Sequence, residues 1–69
     1  MPLTFAKIGQ SNRIKSVRGK PETRRFLATL GFVEGEEVML ISELGGNVIL
    51  RIKDSRIALN KAMAGSIIV

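Results

Sequence analysis

The stretch that decides the fold is EVMLISELGGNVILRIKDSRIAL, residues 37–59. At its centre stands Gly45-Gly46, a pair that readily adopts the backbone angles of a two-residue hairpin turn. Beyond the turn, Asn47–Lys53 places an apolar residue at every second position, which is typical of a strand with one buried face. The stretch therefore predicts an antiparallel hairpin whose second strand buries Val48, Leu50 and Ile52.

Two further strands flank that second strand. Glu37–Leu44 holds four consecutive apolar residues, Val38–Ile41, so we expect this strand to be covered on both faces. On the other side, Asp54-Ser55 predicts a tight turn into a strand over Arg56–Leu59, with Ile57 and Leu59 pointing the same way. Three antiparallel strands should thus follow one another along the chain.

A strand and a helix are predicted upstream of this sheet. Asn12–Arg18 sets Ile14 and Val17 among polar residues and stops at Gly19, from which we expect a strand with one solvent-exposed face. Pro21–Leu30 has helical spacing of its apolar side chains, and proline suits the first turn of a helix. The residues expected on the core-facing stripe of the helix are Thr23, Phe26, Leu27 and Leu30. We expect Gly31 to end the helix in a left-handed conformation, with Phe32 folded back onto it.

The remaining residues add a turn, a short helical segment and a last strand. Val33–Glu36 predicts a turn with Gly35 at positive φ. Asn60–Ala64 predicts one helical turn capped by Asn60 and ended by Gly65, and a final strand is expected over Ile67–Val69. The whole chain, residues 1–69, is therefore predicted to be one mainly β domain. It should be a small barrel of about five strands, with one short α-helix and one helical turn.

Composition argues against catalytic and metal chemistry. The 69 residues include no His and no Cys, which are the usual ligands of zinc, haem and iron–sulfur clusters and the usual nucleophiles and near-neutral bases. We therefore expect no enzyme and no cofactor. The longest aliphatic run, Val38–Ile41, is far shorter than the roughly 20 apolar residues of a membrane-spanning helix. Because Met1–Thr4 also lacks the features of a secretory signal, we expect a cytoplasmic protein with no direct membrane insertion.

Charge is distributed unevenly along the chain. Residues 1–25 hold seven Lys and Arg against Glu22 alone, whereas residues 26–50 hold four Glu and no basic residue. A basic segment favours an acidic protein, a nucleic acid or a phosphate as partner, although ordinary solubility also explains a charged surface. Because guanidinium groups pair with carboxylates and phosphates, the predicted partner-binding residues are Arg13, Arg18, Arg24 and Arg25.

A nucleic-acid-binding small barrel is the main alternative that the residues allow. Base stacking requires exposed aromatic side chains, and the chain has only Phe5, Phe26 and Phe32. Phe26 and Phe32 belong to the predicted helix stripe and its closure, where we expect them in the core. In this alternative, basic side chains contact the phosphates of the nucleic acid and do not read its base sequence.

One ordered set of residues resembles a known family. The set consists of Gly19, Arg24–Leu27, Leu30–Phe32, Gly35, Val38, Ile57–Leu59, Ala64, Ile67 and Val69. In this order and spacing it resembles the bacterial ferrous iron transport protein A (FeoA) family over nearly the whole chain. The most specific parts are the stretch from Arg25 to Phe32, followed by Gly35, and the Ile-Ala-Leu segment at residues 57–59.

The resemblance implies both a fold and a role. It implies a Src-homology-3-like barrel in the free-standing form of the family. It also implies a non-enzymatic accessory that binds and modulates the cytosolic portion of a membrane ferrous iron transporter (FeoB-like) during Fe(II) uptake. Such a partner would recruit the protein to the inner face of the cell membrane. A weak homo-oligomer is compatible with this complex, and the nucleic-acid-binding small barrel is the alternative function.

Overall fold

The computed structural model describes residues 1–69 as six strands, two helices and one 3-10 turn. In chain order these are the 3-10 turn Leu3–Phe5, β1 Ser11–Arg13, β2 Ser16–Val17, α1 Pro21–Thr29, β3 Glu37–Leu44, β4 Asn47–Ile52, β5 Ser55–Asn60, α2 Lys61–Gly65 and β6 Ile67–Ile68. A four-stranded antiparallel sheet has the order β1-β3-β4-β5, and β2 pairs with β6 in a second sheet. The predicted mainly β fold is confirmed, with six strands where about five were expected.

The central hairpin over residues 37–52 forms as predicted. Gly45 has a φ of +61° in the turn between β3 and β4. Val48, Leu50 and Ile52 are each at most 1% exposed, which confirms the buried face of β4. Alternation at period two thus identified the side of this strand that enters the core.

β3 is covered less completely than its apolar run suggested. Val38 and Leu40 are buried, whereas Met39 and Ile41 are only half-buried. The expectation that both faces of this strand are covered is therefore wrong for the outer face. The register shifts between Leu40 and Ser42, which places a bulge at Ile41 and bends the strand.

The second hairpin turn lies one residue earlier than predicted. Ile52 pairs directly with Ser55, so the turn consists of Lys53 and Asp54. Lys53 has a φ of +54° and is the one non-glycine residue with a positive φ. Since two-residue hairpin turns require positive φ and no glycine is present here, the lysine adopts the left-handed conformation.

The predicted strand Asn12–Arg18 is divided between the two sheets. β1 pairs with β3, and β2 pairs with β6. The change of partner falls between Ile14, whose N–H donates to the carbonyl of Glu36, and Lys15, whose N–H donates to the carbonyl of Ile68. One extended segment therefore joins both sheets, and the prediction of a single strand over Asn12–Arg18 did not include this change of pairing partner.

α1 ends in a Schellman motif, as predicted. Gly31 has a φ of +102°. Its N–H donates to the carbonyl of Ala28, and the N–H of Phe32 donates to the carbonyl of Leu27, both at 3.0 Å. Phe32 folds back and is 1% exposed.

The buried stripe of α1 is narrower than predicted. Leu27 is the only fully buried residue of the helix, and Thr23 and Leu30 are half-buried. Phe26 is 48% exposed, so the expectation that it lies in the core is wrong. Consecutive helix positions point about 100° apart, and a narrow contact face centred near Leu27 leaves Phe26 at its margin.

α2 begins at the predicted cap. The Asn60 side-chain oxygen accepts a hydrogen bond of 2.8 Å from the N–H of Met63. Gly65 is the last residue of the helix rather than the residue that ends it, because Ser66 is a right-handed C-cap. The final strand is shorter than the predicted Ile67–Val69 by one residue.

The core is entirely apolar. Its 14 buried residues come from both sheets, both helices and the segments between them, and no polar or charged residue is buried. Leu3, in the 3-10 turn that the sequence did not reveal, is 0% exposed and contributes to this core. Every charged side chain is therefore left at the surface.

Candidate functional site

α1 presents two arginines without a partner in the chain. Arg24 and Arg25 are exposed, and neither belongs to the two ion pairs of the structure. Arg25 is two positions from buried Leu27, about 200° around the helix, and therefore points away from the core. Arg24 lies at the margin of the buried face. Both guanidinium groups are free to bind a carboxylate or a phosphate.

The start of α1 fixes where these arginines lie. Gly19, with a φ of +105°, and extended Lys20 lead into Pro21 at the start of the helix. The N–H of Arg24 donates to the carbonyl of Lys20 at 3.0 Å. The positive partial charge of a helix is concentrated at its first turn, and cations are stabilising near its last turn. The two arginines are therefore not placed where they stabilise the helix.

Arg18 extends the positive charge toward the second sheet. Its side chain is exposed, while its backbone N–H donates to the carbonyl of Ser66 at 2.7 Å and anchors this part of the chain. Arg18, Lys20, Arg24 and Arg25 are all exposed around the beginning of α1. We call these four residues the α1 basic surface.

Arg13, the fourth predicted residue, lies elsewhere and has partners of its own. It belongs to β1, where it pairs in register with Glu37 of β3. Its guanidinium donates to the carbonyl of Gly35 and forms an ion pair of 3.4 Å with Glu37. Arg13 is therefore engaged within the four-stranded sheet, whereas the arginines of the α1 basic surface form no ion pair.

Two of the three aromatic residues are exposed. Phe5 is 75% exposed and Phe26 is 48% exposed, whereas Phe32 is in the core. Phe26 follows Arg25 directly, so an aromatic ring lies on the same short helix as the free arginines. Sequence reasoning missed the exposure of Phe26 because helical spacing grouped this residue with the buried stripe.

A second basic cluster lies on the four-stranded sheet. Arg51 of β4 stands directly opposite Arg56 of β5 in the strand register. Both residues are exposed, and neither forms an ion pair. A groove of about 260 Å³ beside Arg51 is lined by Ser11, Glu36, Glu37, Val38, Met39, Arg51 and Lys53. Sequence reasoning did not bring these two arginines together, because it placed the turn between their strands at Asp54-Ser55.

The acidic residues do not form a recognisable metal site. No group of three or more His, Cys, Asp or Glu side chains comes together. Glu37 and Glu43 are instead engaged in ion pairs, with Arg13 and Lys61 respectively.

α1 is the longer helix at nine residues, and the chain has no helix with the length and apolar character of a membrane span.

Comparison with known proteins identifies relatives over the full length of the chain. The family model of the FeoA domain matches residues 1–69. No curated protein matches the chain.

Solved structures of FeoA proteins share the fold. FeoA of Stenotrophomonas maltophilia, determined as a complex with zinc, is 28% identical with a TM-score of 0.85, and the match covers 99% of this chain and 87% of that one. Iron(II) transport protein A from Clostridium thermocellum is 30% identical with a TM-score of 0.88, over 97% of this chain and 43% of that one. FeoA of Chlorobium tepidum is 26% identical with a TM-score of 0.87, over 99% of this chain and 67% of that one. Because the S. maltophilia protein is described as a prokaryotic SH3 domain protein, the expected Src-homology-3-like architecture is confirmed.

Proposed function

This chain belongs to the FeoA domain family, and we propose that it is a non-enzymatic accessory of ferrous iron uptake. In this proposal its partner is the cytosolic portion of a membrane ferrous iron transporter of the FeoB type. The S. maltophilia relative is described as a candidate activating factor of bacterial ferrous iron transport. Because the structural match covers 99% of this chain, we assign the same role to it in this proposal.

The observation that carries the proposal is the free α1 basic surface. Arg24 and Arg25 are exposed without an ion pair on a helix whose core contact is already supplied by Leu27. The chain carries a net charge of +5. A surface of this kind attracts an acidic or phosphate-bearing partner over distance and fixes its orientation on contact. We infer that Arg18, Arg24 and Arg25 contact the transporter domain and that Arg13 positions the turn at Gly35 instead.

The side-chain inventory supports a binding role over catalysis. Every charged side chain is at the surface, so no carboxylate lies in a buried pocket. The acidic residues are dispersed, and two of them are held in ion pairs. In the proposed mechanism, the protein acts by docking on the transporter at the inner face of the membrane.

A nucleic-acid partner is the second candidate, and the exposure of Phe5 and Phe26 favours it. Exposed aromatic rings are the side chains on which the bases of a single strand stack. The transporter complex is preferred because the family match covers residues 1–69. Parallel binding assays with both partners distinguish the two functions.

Uptake of Fe(II) by cells tests the proposal. A strain that lacks this chain is complemented with the wild type, with the Arg24→Glu, Arg25→Glu double variant, or with a Lys7→Glu, Lys53→Glu control. Both variants change the charge equally at exposed positions, but only the first alters α1. We expect uptake to be restored by the wild type and the control and to remain low with the α1 variant. Full uptake without the chain, or with the α1 variant, would contradict the proposal.

A further inference from the structure

β5 is an open edge of the four-stranded sheet. Its residues Ser55–Asn60 pair only with β4. In an antiparallel pair, every second residue directs its N–H and C=O away from the partner strand. No backbone hydrogen bond outside the sheet involves residues 55–60. The outward-facing backbone groups of β5 are therefore available to another strand.

The two edges of this sheet differ. β1 has only three residues, and directly after it the chain leaves for the second sheet, where the N–H of Lys15 donates to the carbonyl of Ile68. β5 has six residues in unbroken register, with no bulge and no proline. Long regular edges are normally shortened, bulged or covered. Four of the six β5 residues are exposed, and no backbone hydrogen bond from α2 or a loop reaches this edge.

The charge at this edge is unbalanced. Arg56 is the only charged residue of β5, and it stands opposite Arg51 with no ion-pair partner for either. Like charges directly opposite on neighbouring strands destabilise a sheet. A carboxylate on the far side of β5 would relieve this repulsion and form a charge-assisted contact with a guanidinium.

We propose that β5 accepts an extended acidic segment of the partner as a fifth strand of the sheet. Backbone hydrogen bonds along β5 would supply the pairing, and carboxylates next to Arg56 and Arg51 would select acidic segments. A second copy of this chain fits less well, because β5 carries no acidic residue and each copy has a charge of +5. The inference rests on the proposed function for the identity of the partner, and it adds a contact separate from the α1 basic surface.

Amide NMR spectra of the labelled full chain test this inference with two probes. The first probe is the cytosolic domain of the transporter, and the second is a capped hexapeptide of alternating Glu and Val. A capped hexapeptide of alternating Lys and Val is the matched control. We expect the domain and the acidic peptide to shift the β5 amides, and the basic peptide to leave them unchanged.

Two single charge reversals distinguish strand pairing at β5 from nonspecific electrostatic attraction between the basic protein and an acidic probe. Arg56→Glu lies on β5, whereas Lys53→Glu makes the same change at the exposed turn of the same hairpin. We expect Arg56→Glu to weaken binding of both probes about tenfold or more and Lys53→Glu to weaken it about threefold or less. Equal losses for the two variants would overturn the inference.

The outcomes also separate this inference from the proposed function. Domain binding that shifts α1 amides but not β5 amides would overturn the inference and leave the proposed function standing. Shifts of β5 with the acidic peptide but no domain binding would support the open edge and contradict the transporter complex. An unchanged β5 with both probes and no domain binding would contradict both.

Discussion

The N–H of Phe32 donates a hydrogen bond of 3.0 Å to the carbonyl of Leu27, and this bond closes α1. It forms because Gly31, between the helix and Phe32, has a φ of +102° that residues with a Cβ resist. The bond returns Phe32 to the core, so one glycine determines both the end of the helix and the placement of a large core side chain.

Replacement of this glycine should destabilise the fold. We expect Gly31→Ala to lower the free energy of unfolding by about 1–3 kcal/mol, because alanine is strained at this φ. The matched control is Gly46→Ala, since Gly46 has no positive φ and no atom within 4 Å of an added Cβ. Denaturant unfolding measures both, and equal midpoints would contradict the described helix end.

Truncation to alanine should change the free energy of unfolding by very different amounts at two adjacent residues of α1. Leu27 is 0% exposed and Phe26 is 48% exposed. We expect Leu27→Ala to lower the free energy of unfolding by about 2–5 kcal/mol, and Phe26→Ala by about 1 kcal/mol or less. Thermal or denaturant unfolding of the two variants provides the comparison. A larger effect at Phe26 would mean that the helix buries a different face.

A glycine should be favoured at the second hairpin turn. Lys53 has a φ of +54°, a conformation that is unfavourable for residues with a Cβ. We expect Lys53→Gly to raise the free energy of unfolding by about 0.5–1 kcal/mol. Lys53→Ala removes the same charge without relieving the strain and should give no such gain. A stabilisation of equal size in both variants would show that charge, not backbone conformation, is responsible.

The hairpins were predictable because their signals are local. The Gly45-Gly46 pair and the apolar alternation that follows it define a turn and a buried face within a few residues of each other. The same holds for the end of α1, since Gly31 directly follows the helical spacing. The division of the strand at Ile14 was not predictable in this way, because its two pairing partners lie more than 20 residues away.

In the candidate sites, too, features set by local spacing were predictable and features set by strand pairing were not. The exposure of Arg24 and Arg25 followed from helical spacing, but the engagement of Arg13 by Glu37 depends on strand pairing across 24 residues. The Arg51–Arg56 pair depends on the turn register. A turn at Asp54-Ser55 would have placed Arg51 opposite Ala58, and the one-residue difference brings the two arginines together.

The binding of the transporter's cytosolic domain to the α1 basic surface tests the central claim most directly. Surface plasmon resonance at low and high salt compares the wild type, the Arg24→Glu, Arg25→Glu variant and the Lys7→Glu, Lys53→Glu control, with a single-stranded oligonucleotide in parallel. We expect the wild-type affinity to fall as salt rises. We also expect the α1 variant to bind about tenfold or more weakly with an unchanged melting temperature, and the control to lose less. Domain binding that is indifferent to both salt and the α1 reversal, or binding of the oligonucleotide alone, would contradict the account.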